Sequence, residues 1–145
     1  MTLPIAVIDT NVVVSGLLTG ERASPTAAVL EGMVRGRFAY LLSLDLLAEY
    51  REVLLRPRIS QRHGLGDADV ESILTELALN GRVCQPPPVT GVAPDPGDRH
   101  LWALLESDPA AVLVTGDAAL QRHAPEPGRV LSPRRFLLLL GAQGT

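Results

Sequence analysis

The chain alternates short, continuously apolar runs with segments of helical periodicity. The clearest runs are IAVI at residues 5–8 and AAVLV at 110–114. A strand that is apolar on both faces has to be covered on both faces, and such runs are typical of parallel sheets between helices. Shorter runs at 38–43, 82–84 and 129–132 predict three further strands. This order of elements predicts an α/β fold: a three-layer α/β/α sandwich with a mostly parallel sheet of about five strands.

Capping residues mark the predicted helix boundaries. Ser and Asp side chains accept hydrogen bonds from the first backbone N–H groups of a helix, Pro fits its first turn, and Gly is common just past its end. The predicted start signals are Ser24 with Pro25, Ser43, Asp67, Asp98, and Ser132 with Pro133. The predicted stop signals are Gly36, Pro57, Gly81 and Gly141. The helix that begins after Ser43 is expected to span about residues 44–56.

Length and composition favour one ordinary domain. A chain of 145 residues, of which 46% are hydrophobic and 20% charged, is long enough to bury a core. We therefore expect a single domain over residues 1–145. No apolar run approaches the roughly 18–20 residues that span a bilayer, and the N-terminus lacks the features of a signal peptide. With a single cysteine, Cys84, no internal disulfide can form, so we expect a cytoplasmic protein without a membrane segment.

The absence of lysine excludes several classes of phosphate chemistry. All thirteen basic residues are arginine. The P-loop and the protein-kinase signature both need a lysine. Phospho-aspartyl enzymes and receiver domains also share a lysine near the phosphate, so the lack of lysine argues against them as well. Asn11 also stands where the phosphatase kind has its second acid. No G-x-S-x-G or G-x-G-x-x-G motif is present, so serine hydrolase and dinucleotide-binding readings have no support.

Four acidic residues stand at positions that can converge. Asp9 and Asp117 follow the two apolar strands, and the carboxyl ends of parallel strands meet at one edge of a sheet. Glu49 borders the apolar stripe of the predicted 44–56 helix, and Asp98 is at a helix N-terminus, where the dipole favours negative charge. Each residue alone also has an ordinary reading as a cap, a turn residue or a solvated side chain.

A cluster of these four carboxylates would need protons or cations to neutralise it. Carboxylate oxygens are ligands for hard ions, so the expected ion is Mg²⁺ or Mn²⁺. His63, His100 and His123 show no zinc-site spacing, and we expect them to be surface or locally bonded residues. Cys84 is expected to be structural.

Five stretches, in order over nearly the whole chain, resemble the PIN domain, and most closely its branch of toxin components of bacterial toxin-antitoxin systems. They are VIDTNVVVSGLL, SLDLLAEYREVLLRP, DPGDRHLWALLES, VLVTGDAAL and VLSPRRFLLLL. Asp108-Pro109 departs from the pattern, since relatives often have a Gly-Ala link there. This departure is expected to alter a loop and to leave the acids in place.

The resemblance implies a metal-dependent endoribonuclease that hydrolyses RNA phosphodiester bonds with one or two Mg²⁺ or Mn²⁺ ions. The family's metal-binding and catalytic acids carry over to Asp9, Glu49, Asp98 and Asp117. Small polar residues that match positions near the family's site are Asn11, Ser15 and Thr115. Asp95 is an alternative to Asp98, because the D-P-G-D stretch offers two acids. Arginines that neighbour the acids in sequence, and so are candidate phosphate contacts, are Arg51, Arg56, Arg58 and Arg99.

The toxin reading implies RNA as substrate and a small antitoxin protein as partner. The apolar 24–36 helix and the C-terminal RFLLLLG stretch are candidates for a homodimer interface, with core packing as the alternative. Two other functions stay open at this point. One is a catalytically inactive PIN-like module that binds RNA or protein, and the other is a DNA-directed nuclease with the same metal site.

Overall fold

The computed structural model describes residues 4–21, 23–87, 98–122 and 128–143. The strands in these ranges are β1 (Ile5–Ile8), β2 (Leu41–Leu42), β3 (Arg82–Val83), β4 (Ala111–Val114) and β5 (Val130–Leu131). The helices are α1 (Thr10–Leu18), α2 (Pro25–Val34), α3 (Leu44–Leu54), α4 (Pro57–His63), α5 (Asp67–Asn80), α6 (Arg99–Ser107), α7 (Ala118–Arg122) and α8 (Pro133–Gln143).

The strands pair in parallel throughout the described part of the chain. One sheet has the order β1-β4-β5, and β2 pairs with β3 in a second sheet. An isolated parallel bridge between Ala6 and Tyr40 joins the two sheets, so the strands follow one another in the order β3-β2-β1-β4-β5. All four residues of β4 and three of the four in β1 are buried, as expected for strands covered on both faces. The predicted α/β fold with a parallel sheet is confirmed.

The register of β1 and β4 positions the candidate site. Ile8 lies opposite Val114, and these are the last residues of the two strands. The chain therefore leaves both strands side by side, at Asp9 and at Thr115. The two strands that lead to Asp9 and Asp117 are therefore neighbours in the sheet.

Several predicted caps are confirmed. Ser24 accepts a hydrogen bond from the backbone N of Ala27 at 3.2 Å, and Ser43 accepts one from Leu46 N at 3.1 Å. Ser132 accepts one from Arg135 N at 3.2 Å. Each side chain thus satisfies a backbone donor that has no partner within its helix.

Other boundaries differ from the predictions. Asp67 is the first helical residue of α5 and not its cap, because Gly66 takes the cap position and its N–H donates to the Asp69 carboxylate at 3.2 Å. Helix α3 ends at Leu54, and Pro57 begins α4 instead of only closing α3. Gly141 does not close α8, which continues to Gln143.

Three helices were not predicted: α1, α4 and α7. The VVVSGLL part of α1 combines β-branched residues with a glycine, both poor helix formers, so its periodicity is weak. Helices α4 and α7 have seven and five residues, too few to show a helical repeat. No helix in the described ranges is long and apolar enough to cross a membrane.

Candidate active site

Asp9 is a buried carboxylate held by three donors. It is 7% exposed and is the N-cap residue of α1. Its Oδ1 accepts a hydrogen bond from Thr10 N at 2.7 Å. Its Oδ2 accepts bonds from Thr115 Oγ1 at 2.8 Å and from Asn11 Nδ2 at 3.2 Å. Burial raises the pKa of Asp9 and the nearby Glu49 charge raises it further, while the bonds from Thr115 and Thr10 lower it.

The turn after β4 carries Thr115 and Asp117 beside Asp9. Thr115 is completely buried, and its hydroxyl also accepts a bond from Asp117 N at 3.0 Å. Gly116 N donates to Asn11 Oδ1 at 3.0 Å, which ties this turn to the start of α1. Asp117 is exposed, and its Oδ1 accepts a bond from Ala119 N at 2.8 Å in the first turn of α7. The turn therefore holds Asp117 through its capping bond to α7, and it holds Asp9 through the hydrogen bond from Thr115.

Glu49 reaches the same region from α3. Its Oε2 accepts a short hydrogen bond from Thr10 Oγ1, and its Oε1 lies 3.5 Å from His100 Nε2. The next residue, Tyr50, is completely buried and donates its hydroxyl to the Ile8 carbonyl at the end of β1. This bond fixes the distance between the helix that carries Glu49 and the strand that leads to Asp9.

Asp98 comes from the N-terminus of α6. It occupies the cap position, as predicted, but its side chain makes no capping hydrogen bond, and its backbone is in the helical region with φ −93° and ψ −1°. Asp98 is partly buried. A carboxylate that does not cap its own helix can face the space in front of it, where the helix dipole favours its charge.

All four predicted acids line one cavity of about 750 Å³. Asn11 and Ser15 line it as well, whereas Thr115 contacts Asp9 from behind. The apolar part of the wall consists of Val14, Leu18, Val53, Ile59 and Leu120. Ser15 Oγ lies 3.1 Å from Thr26 Oγ1, so this hydroxyl bonds toward α2.

The acids do not form a closed metal cage as they stand. Among the residues that the structure describes, no three acidic, His or Cys side chains are close enough to share one ion. The donor set nevertheless fits a hard divalent ion, because the carboxylates offer only oxygen and Mg²⁺ keeps several waters while binding one or two carboxylates directly. Coordination by three carboxylates would require these side chains to move closer together.

The predicted arginines differ in position. Arg56 lines the cavity and pairs with Glu52 at 3.1 Å. Arg51 instead pairs with Glu71 at 2.6 Å, and neither Arg51 nor Arg58 lines the cavity. Arg99 lines a second cavity of about 420 Å³.

Three residues near the acids were missed by the sequence reasoning: Thr10, His100 and Arg62. Arg62 lines the acid cavity from α4, a helix that was not predicted. His100 had been expected to be a surface or locally bonded residue, whereas its side chain is 16% exposed and contacts Glu49, 51 residues away in sequence. The available signal for His100 was its position two residues after the predicted cap Asp98, in the first turn of α6. For Thr10, the signal was its place directly after Asp9.

The remaining predicted residues lie elsewhere. His63 is locally bonded, with its ring nitrogens 2.8 Å from Leu54 O and 2.9 Å from Leu65 N. Cys84 is a partly buried free thiol. Asp95 and His123 are outside the described residues, so the choice between Asp95 and Asp98 stays a prediction.

Comparison with known proteins identifies the family. A PIN domain model matches residues 6–119, which include all four predicted acids. No curated protein matches the sequence significantly. PIN domains are generally nucleases that act on nucleic acids and typically use divalent metal ions. Since the match covers most of the sequence, the chain belongs to the PIN domain family.

Proposed function

We propose that this protein is a metal-dependent endoribonuclease whose active site is the acid-lined cavity. The observation that carries the proposal is the convergence of Asp9, Glu49, Asp98 and Asp117, from four separate parts of the chain, on one cavity at the carboxyl edge of a parallel sheet. Structural needs alone do not explain this arrangement, because several carboxylates in one cavity repel each other.

The four acids would hold one or two Mg²⁺ or Mn²⁺ ions. When bound, such an ion supplies a Lewis acid that activates water for in-line attack on a phosphodiester and stabilises the leaving oxygen. The charge of the ion would also offset the acids, so that a polyanionic strand can approach a protein of net charge −3.

The surrounding residues would hold the acids in position. Thr115 and Asn11 donate to Asp9 and limit its rotation, and Thr10 does the same for Glu49. Arg56 and Arg62 line the same cavity, and their guanidinium groups would contact a substrate phosphate there. Arg56 would do so while also paired with Glu52.

RNA as the substrate, and the toxin role, rest on the resemblance of the five ordered stretches to the toxin branch of the family. We further propose a single domain over residues 1–145 that acts in the cytoplasm and is inhibited by a small antitoxin protein. A homodimer through α2 and α8 remains part of this hypothesis.

The test is cleavage of a labelled single-stranded RNA, and of the matching DNA, with Mg²⁺ or Mn²⁺. We expect cleavage of RNA that EDTA abolishes. Each of the four acids is replaced singly by its amide, and each change should reduce the rate of cleavage by more than about 100-fold. This loss is larger than the one expected when a residue that only supports a metal ligand is removed. The substitutions are Asp9→Asn, Glu49→Gln, Asp98→Asn and Asp117→Asn. The matched control is Asp45→Asn, an exposed acid in the first turn of the same helix as Glu49, which should retain activity.

The outcomes separate the rival functions. Cleavage that survives EDTA, or that survives the loss of Asp9, would contradict the metal mechanism. Faster cleavage of the DNA would favour the DNA-directed nuclease. RNA binding without cleavage under any divalent ion would favour the inactive binding module.

A further inference from the structure

We propose that His100 is a positioning residue that orients the carboxylate of Glu49 through the contact of its Nε2–H with Oε1, which lies 3.5 Å away. This inference rests on the proposed nuclease function, because it assigns His100 a role in preparing one of the four acids. The sequence alone assigned His100 no role in the site, since it was expected to be a surface or locally bonded residue. The inference also makes a statement about the free protein, which can be tested without metal or substrate.

The two oxygens of Glu49 have separate partners on two different elements. Oε2 accepts the hydroxyl of Thr10 from the start of α1, and Oε1 lies 3.5 Å from His100 Nε2 on α6. Glu49 is 35% exposed, and a glutamate with three rotatable bonds loses substantial rotamer entropy when it is fixed. Contacts to both carboxylate oxygens of Glu49 restrict rotation about its last side-chain torsion, χ3. A contact to one oxygen alone restricts this rotation less.

The chemistry of the pair determines which ring nitrogen carries the proton. A carboxylate can only accept hydrogen bonds, so the nitrogen that faces Glu49 must carry the proton for the contact to be attractive. The other nitrogen, Nδ1, is buried and has no hydrogen-bond partner among the described residues. A buried lone pair is easier to tolerate there than a buried N–H, because under-satisfied acceptors are less rare in proteins than orphaned donors. The geometry therefore favours the tautomer with the proton on Nε2 over a ring that carries its proton only on Nδ1.

The position of His100 in α6 connects two of the acids. Asp98 lines the acid cavity, whereas Arg99 and His100 line the second cavity. The first turn of α6 thus presents one carboxylate to the site and contacts a second one, Glu49, from the other side. His100 is a described α6 side chain that contacts α3, through Glu49. A change at His100 is therefore expected to alter the orientation of Glu49 more than the stability of the fold.

The first experiment reads the tautomer directly. In ¹⁵N-labelled, metal-free protein at neutral pH, long-range ¹H–¹⁵N spectra of the His100 ring should show a proton on Nε2. A ring protonated only at Nδ1 would overturn the proposal, whatever the protein's activity. His63, whose ring nitrogens face Leu54 O and Leu65 N, provides an internal reference for a ring with a proton on Nε2.

The second experiment compares His100→Gln with His100→Leu. Glutamine can place an N–H donor near the position of Nε2, whereas leucine fills similar space without a donor. We expect His100→Leu to weaken Mn²⁺ binding about 10–100-fold and to lower kcat with little change in KM for RNA. His100→Gln should restore most of both. The matched control in the same helix is Glu106→Gln, because Glu106 is exposed and lines neither of the two cavities.

Two outcomes would contradict the positioning role, and a third would contradict the proposed function alone. If His100→Leu binds Mn²⁺ as tightly as the unmodified protein, the positioning role is wrong. If His100→Gln is as impaired as His100→Leu, a hydrogen-bond donor is not what the position requires. If the unmodified protein neither binds Mn²⁺ nor cleaves RNA while the ring carries its proton on Nε2, the proposed function fails and the contact with Glu49 stands.

Discussion

At the scale of single residues, Asp9 is a charge buried at a cost. Burial is the largest influence on it and raises its pKa above the ordinary value of 3.8. The folded protein therefore holds the proton of Asp9 more tightly than the unfolded chain does. In the linkage relation, stability then falls as pH rises from about 3.8 through the folded pKa, because in that window the folded state binds more protons.

The first prediction concerns the pH dependence of Asp9→Asn. We expect the melting temperature of the variant, minus that of the unmodified protein, to increase as pH rises from about 4 and to level off once Asp9 is ionised. Any constant loss from rearranged hydrogen bonds shifts this difference equally at every pH and does not affect its slope. Differential scanning calorimetry in metal-free buffer is the measurement. A difference that shrinks with rising pH would mean that the Asp9 charge is stabilised in the fold.

The second prediction concerns Thr115, whose hydroxyl supports two acids. In Thr115→Val, Asp9 loses a donor and Asp117 N loses its acceptor, while the buried volume is nearly conserved. We expect a loss of about 1–3 kcal/mol in the free energy of unfolding, because buried polar groups become unsatisfied. Cleavage should fall about 10–100-fold, although all four acids remain.

Thr75→Val is the matched control for Thr115. Thr75 is exposed on α5, and its hydroxyl donates only to Glu71 O at 2.8 Å. Its substitution should change the free energy of unfolding by no more than about 0.5 kcal/mol and leave cleavage unchanged. Equal effects of the two substitutions on cleavage would show that Thr115 does not act through the acids.

Residue types at strand ends could be predicted from sequence, but side-chain contacts could not. Asp9 and Asp117 were found because an apolar run that ends in an acid is visible in one dimension. The donors around them depend on register: Thr115 meets Asp9 because Ile8 pairs with Val114, and His100 meets Glu49 because α6 packs beside α3. Neither pairing leaves a signal in a single sequence.

At the scale of elements, capped and strongly periodic segments were predictable. Ser24 and Ser43 identified helix starts because a side-chain acceptor three residues before a backbone N–H is a local arrangement. Helix α1 was missed because its β-branched residues read as neither a helix nor a strand, and its formation depends on the Asp9 cap and on packing against α2 and α3. Arg62 was missed for a related reason: α4 was not predicted, and without this helix there was no reason to place Arg62 near the acids.

The third prediction tests the contact between helix α3, which carries Glu49, and strand β1, which leads to Asp9. Tyr50→Phe removes the hydroxyl that joins α3 to the Ile8 carbonyl of β1. We expect a loss of about 1–3 kcal/mol in the free energy of unfolding, from the buried carbonyl left without its donor. We also expect weaker Mn²⁺ binding and slower cleavage, because the spacing of the two acids is no longer fixed.

Tyr40→Phe separates stability from site geometry. Tyr40 is also buried, and its hydroxyl donates to Leu77 O at 2.7 Å and to Met33 O at 3.2 Å, away from the acid cavity. Its loss should lower stability by a similar amount and leave Mn²⁺ affinity unchanged. Denaturant unfolding and titration calorimetry of both variants give the comparison. If Mn²⁺ affinity falls equally in both, the α3–β1 contact has no particular role in the site.

At the scale of the whole molecule, the fold brings together acidic side chains whose charges repel each other and repel a nucleic acid. The net charge of −3 and the acid-lined cavity both repel a nucleic acid, while the fold brings the acids together at the edge where its two longest strands end. A bound divalent ion would resolve both repulsions at once. The free protein should therefore be less stable than the ion-bound protein, by an amount set by the affinity of the ion for the folded state.

The last prediction is a rise in melting temperature with Mn²⁺. An ion that binds only the folded state, at a free concentration 100 times its Kd, adds about 2.7 kcal/mol to the free energy of unfolding. This corresponds to a rise in melting temperature of ~5–10 °C for a chain of this size. Asp117→Asn removes an exposed carboxylate that we propose as a ligand, while asparagine can still cap α7. It should therefore reduce this shift without lowering the melting temperature of the metal-free protein. Glu76→Gln, on the exposed face of α5, should leave the shift unchanged. An equal shift in all three proteins would mean that Mn²⁺ binds elsewhere, since only a site containing Asp117 can distinguish the two substitutions.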